Sequence, residues 1–113
     1  QAKQLLDSIR SPEIPTHRDH VEYYYRKARL AHKMNDLAGA IENYKNTIES
    51  SNDGSWYYAP NANLQLGFIY MEQGKLDLAR DYFERSMQYR NHEYKNSIDS
   101  KAKAALDHIK RLR

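Results

Sequence analysis

Histidine is the side chain best suited to move a proton or hold a metal near neutral pH, and this sequence carries five, at 17, 20, 32, 92 and 108. His17 and His20 stand three apart in a proline-rich stretch with Asp19 between them. A metal site needs three or four convergent ligands, and no further group completes one by spacing. Neither a Ser-His-Asp set nor a pair of carboxylates can be assembled from the spacings. The four glycines, at 39, 54, 67 and 74, are scattered, so no glycine-rich phosphate loop exists. The expectation is no catalysis, no cofactor and no metal.

The remaining chemistry is recognition. "RKARLAHK", residues 26–33, gathers bases that suit an anion, such as a peptide carboxylate or acidic side chains. The same run also reads as a solvated basic helix face. Trp56, Tyr57 and Tyr58 are the densest aromatic stretch. Aromatics interleaved with bases can stack on single-stranded nucleic acid, but no Lys and Arg stripe accompanies these. Packing against the first half of the domain is expected instead, and nucleic acid is not an expected partner.

Bulk composition fits this reading. The 113 residues are enough for one domain, at 40% hydrophobic and 29% charged. Eighteen bases against fifteen acids leave only +3, too small a surplus to mark a nucleic-acid surface. No apolar run approaches the ~20 residues a membrane span needs, so this segment is not expected to insert. Cysteine is absent, which removes disulfides and zinc–thiolate sites. The chain opens on Gln1, and the expectation is a piece of a longer protein whose compartment is undetermined, with the cytoplasm slightly favoured.

These residues must be positioned by helices. "AKQLLDSIR" suits about two helical turns, and "SPEIPTHRD" breaks them with two prolines. Asp19 is expected to N-cap a helix running to about Met34, with Val21, Tyr24, Tyr25, Ala28 and Ala31 near a 3.6 period. Asn35 and Asp36 form a turn, and a second helix follows over roughly 37–50, with Leu37, Ala40, Ile41, Tyr44 and Ile48 apolar. "SSNDGS", 50–55, is a loop. A third helix starts near Trp56 to Pro60 and stops at Gly74, and a fourth spans about Leu76–Tyr89. The last begins near Tyr94 to Ser97 and carries Ile98, Ala102, Ala105, Leu106, Ile109 and Leu112 as a stripe. No strand pattern competes.

Helices of similar length alternate, joined by short turns, and their residues recur in phase. Leu66-Gly67-x2-Tyr70, Gly74 at the turn and Ala79-x3-Phe83 form one unit. An earlier copy holds Tyr24, Ala28, Leu37 and Ala40-x3-Tyr44, and Ala40 lies 39 residues before Ala79. The first set matches in type and spacing the ~34-residue pattern W-x2-L-G-x2-Y…A-x3-F…P. Asn63 stands in the Trp slot and Asn91 in the Pro slot. In the earlier copy Lys27 replaces the leucine and Ala31 the tyrosine. The chain therefore resembles tetratricopeptide-repeat proteins over residues 21–93. The tail "NHEYKNSIDSKAKAAL" is similar to the ends of the larger tetratricopeptide-39-like proteins over too short a stretch to carry a function.

The resemblance implies an all-α fold of antiparallel helix–turn–helix repeats, stacked as a short right-handed α-solenoid. Residues 1–18 are then an N-terminal helix fragment and Pro-rich linker, and 19–113 the repeat domain. Within it, repeat one covers about 21–54, repeat two about 60–93, and a capping helix about 95–112. Lys101, Lys103, Lys110 and Arg111 would keep the cap's outer face soluble.

The resemblance also implies that positions 2, 5, 9 and 12 of each first helix face a concave, peptide-binding groove. These are Glu22, Tyr25, Arg29 and His32, with Arg26 and Lys33 beside them, and then Asn61, Leu64, Phe68 and Met71. Some relatives clamp a C-terminal carboxylate with Lys, Asn and Arg. Arg29 and Phe68 occupy the Asn place here, so that specificity is not carried over. Leu64, Phe68 and Met71 form an apolar stripe on a face the helix pairing does not require. It is either an interaction site or a face covered by the Pro-rich segment or the last helix.

The expected function is protein–protein interaction: a scaffold part that binds a peptide or helix of a partner, with apolar anchors for affinity and bases for orientation. The alternative is a self-assembly module forming homo-oligomers, and a regulatory part of an enzyme ranks third.

Overall fold

The computed structural model describes residues 16–51, 56–90 and 92–112, and every regular element among them is an α-helix. The expectations for residues 1–15, for the loop at 52–55 and for Asn91 lie outside the described residues. The helices are α1 (His17–Lys33), α2 (Leu37–Ser51), α3 (Tyr58–Glu72), α4 (Leu76–Ser86) and α5 (Lys95–Leu112). The chain divides into two units, Gln1–Gly54 and Ser55–Arg113. Helix α1 packs on α2 in the first; α3 packs on α4, and α5 on both, in the second. Both pairs are adjacent antiparallel hairpins.

In the first unit Asp19 is not the N-cap. Thr16 is, with φ −76° and ψ 168°. Its Oγ1 accepts the Asp19 N–H at 3.1 Å, and Asp19 Oδ2 accepts the Thr16 N–H at 3.0 Å. This reciprocal capping box satisfies two otherwise orphaned donors, which is why the helix begins at His17 rather than beyond Asp19. His17 then reaches across the hairpin, its Nε2 2.6 Å from the Ser50 carbonyl. Helix α2 runs through Ser51, one residue past its expected end and two into the stretch expected to be loop. Val21, Ala28, Ala40 and Tyr44 are fully buried between the two helices.

The two hairpin turns are built alike. Asn35 sits at φ 62°, the Asp36 N–H donates to Ala31 O at 2.8 Å, and the Asn35 N–H donates to His32 O at 3.0 Å. In the second unit Gly74 sits at φ 78°, Lys75 N–H donates to Tyr70 O at 2.9 Å, and Gly74 N–H to Met71 O at 3.0 Å. Both are Schellman closures, with a left-handed residue ending the helix. Asn35 and Gly74 are 39 residues apart, the same offset as the alanines. The first turn adds a cap, Asp36 Oδ1 accepting the Gly39 N–H at 3.1 Å.

In the second unit Pro60 occupies the first turn of α3 without loss. The first helical bond there is Asn61 N–H to Tyr57 O at 3.0 Å, so the missing proline donor had no partner to lose. Gly67 makes room for a ring: a Cβ there would lie 2.6 Å from Phe83 Cδ1. Helix α4 ends at Ser86, three residues before the expected Tyr89. The chain turns out because Tyr89 bends back to the core, where its hydroxyl accepts from Asn63 Nδ2 at 3.2 Å. Lys95 holds the turn, donating to Tyr89 O at 2.6 Å while paired with Asp99 at 2.9 Å. On α5, Ile98, Ala102, Ala105 and Ile109 are buried as the stripe predicts, while Leu112 is exposed.

Candidate interaction surface

The first helix of each unit carries the residues singled out for binding, and the 39-residue offset pairs them: Tyr25 with Leu64, Arg29 with Phe68, His32 with Met71. The offset also pairs Ala28 with Gly67 and Tyr44 with Phe83. The aromatic slot of the second helix thus organises both faces.

In the first unit the slot holds Tyr44, fully buried. Its ring stands edge-on to Tyr25 at 6.5 Å and to His32 at 5.8 Å. Its hydroxyl is 3.0 Å from His32 Nδ1. Burial pushes the Tyr44 phenol up to about 12, against the opposing pull of Arg29, which hydrogen-bonds it. Tyr25 is itself buried, His32 is half-buried, and Arg29, Arg26 and Lys33 are exposed. Arg26 pairs with Glu22 at 2.7 Å, one helical turn back. Arg29 therefore stands exposed beside the buried Tyr44, an arrangement able to receive a carboxylate. Nothing in it resembles a nucleophile activated by a base.

The second unit differs because its slot holds Phe83. Phe68 packs edge-on against that ring at 5.1 Å and is half-buried. Leu64 is 1% exposed, and Asn61 and Met71 are half-buried. The stripe of Leu64, Phe68 and Met71 is unevenly exposed. Leu64 is closed to solvent and Phe68 serves the hairpin's own packing, since position 9 of the first helix abuts the ring of the second. Of the second-unit candidates, Asn61, Phe68 and Met71 keep partial exposure.

Tyr44, absent from the expected set, touches its members Tyr25 and His32, and a signal for it existed: a hydroxyl on the aromatic of A-x3-F must find partners once buried. Tyr58 is buried and Tyr57 stands edge-on to Tyr94 at 5.4 Å, so part of the aromatic stretch is spent within its own unit. Among the described residues no group of three or more His, Asp and Glu could hold a metal, and no helix is long and apolar enough to cross a membrane.

The sequence profile described as tetratricopeptide repeat matches residues 21–53 and 60–92. That family is a non-catalytic one whose domains mediate protein–protein interaction. No curated protein and no solved structure matches the chain.

Proposed function

The chain belongs to the tetratricopeptide-repeat family, and we propose that it serves as a scaffold part binding an acidic peptide or helix of a partner protein, each unit offering the outer side of its first helix. The observation that supports this is the exposed row Arg26, Arg29 and Lys33, with Arg29 oriented by the buried Tyr44. A guanidinium oriented by a phenol loses less freedom on meeting a carboxylate than a solvated one does. Arg29 would orient the acid, Arg26 and Lys33 would speed encounter, and His32 would border the contact. In the second unit Met71 and the Phe68 edge, beside Asn61, would supply apolar contact, with Leu64 as their buried support.

Selection from a random peptide library on the intact chain, followed by anisotropy titration, tests this. The reading requires binders rich in Asp and Glu that lose at least about tenfold in affinity with Arg29→Glu, in a variant whose circular dichroism is unchanged. Binders indifferent to Arg29→Glu would remove α1 from the site.

A further inference from the structure

His32 has a place in the first unit that its exposure does not reveal. Its ring stands edge-on to Tyr44 at 5.8 Å, with Nδ1 3.0 Å from the Tyr44 hydroxyl. Arg29, one helical turn earlier on the same face of α1, hydrogen-bonds that hydroxyl as well. A guanidinium only donates, so Arg29 takes a lone pair and leaves the phenol's own hydrogen to be placed. Tyr44 is fully buried, where a hydroxyl hydrogen without an acceptor carries the whole desolvation penalty. The acceptor beside it among the described residues is His32 Nδ1. The ring is therefore the neutral tautomer that carries its proton on Nε2.

A proton on Nδ1 would remove that acceptor and set two cations on one oxygen. With bonds of about 3 Å on each side, Arg29 and the ring lie within about 6 Å of one another. Lys33 adds positive charge next in the chain. From α2 the ring meets Tyr44, while Glu42, Lys45 and Glu49 of that helix are exposed. Asp36, in the turn, caps the Gly39 N–H at 3.1 Å. We propose that His32 is a second cation of the acid site, neutral in the free chain and protonated when a partner's carboxylate docks on Arg29. This rests on the reading of α1 as an acid site. The carboxylate offsets the repulsion between the two cations. It is also an acceptor to which the phenol hydrogen can turn, which frees Nδ1 to take a proton from solvent. Binding then takes up a proton, so affinity rises as the pH falls through the histidine range. The peptide's own carboxylates would give the opposite trend, because they lose charge as the pH falls.

Two measurements on the intact chain test it. Nitrogen-15 NMR of the imidazoles, with His32 assigned from His32→Gln, should show a bare Nδ1 and a protonated Nε2 at about pH 8. Tyr44→Phe should move that ring toward the tautomer mixture of a free histidine. An Nδ1–H ring in the wild type would overturn the proposal and leave the acid site untouched. Acidic peptides selected on the chain should bind about three- to tenfold tighter at about pH 5.5 than at about pH 8. His32→Gln should flatten that rise, while Arg29→Glu should weaken binding at both. A rise that survives His32→Gln, or no rise at all, would overturn the proposal with the acid site still standing. A library that yields no acidic binder, or binders indifferent to Arg29→Glu, would overturn both.

Discussion

Tyr44 and Phe83 fill the same slot 39 residues apart, yet one oxygen atom separates what they do. Phe83 draws Phe68 onto its ring, whereas Tyr44 draws Arg29 and His32 to its hydroxyl. Tyr44→Phe should leave the His32 and Arg29 groups without that partner and cost about 1 kcal/mol in urea unfolding. It should also change the response to pH. The Tyr44 phenol is raised in the folded state from 10.0 to about 12, so the unfolded chain gives up the proton first. Its contribution is whole below pH 10 and is lost as the pH rises through about 12. Unfolding midpoints taken at those two limits should fall for the wild type, and fall less for Tyr44→Phe. Gly67 is the matching constraint in the second unit. Gly67→Ala drives a methyl into Phe83 and should cost roughly 1–3 kcal/mol, whereas its counterpart at 28 is already alanine and fully buried.

Helix ends show where sequence reasoning held and where it slipped. The turn at Asn35 and Asp36 was legible because few residues other than Asn and Gly tolerate a left-handed backbone, and the stop at Gly74 was legible for the same reason. The start of α1 was misplaced because Thr16 and Asp19 are both good caps, and only their reciprocal bonds decide which serves. The end of α4 was misplaced because nothing local marks it. Asn63, Tyr89 and Lys95 stop the helix together, and sequence periodicity has no view of contacts between elements. The shared turn geometry gives a paired prediction. Gly74→Ala should cost roughly 1–2 kcal/mol, the penalty for a Cβ in the left-handed region. Asn35→Gly should gain a few tenths of a kcal/mol, because Asn meets part of that penalty already. Thermal melts of the two variants against wild type should move in opposite directions.

At the scale of the molecule the repeat was legible because a 39-residue offset aligns the turn, the small residue and the aromatic at once, which no single helix would demand. The binding face was less legible. A helical period says which residues share a side, but it cannot say that position 9 meets the ring of the next helix, as Phe68 does. The role of α5 follows from the same stacking logic, since a repeat hairpin leaves one apolar side that a neighbour must cover. In the second unit that neighbour is α5, which packs on both α4 and α3 and buries Ile98, Ala102, Ala105 and Ile109. Its bases Lys101, Lys103, Lys110 and Arg111 stay on the outside. Ile109 is 2% exposed, so Ile109→Asp would set a carboxylate in that apolar seam. The expected cost is at least about 3 kcal/mol. Hydrogen exchange should then show protection lost across α3 and α4 as well as α5, because the helices that lean on α5 open when it does. A loss confined to α5 would mean that the α3–α4 hairpin stands without its cover.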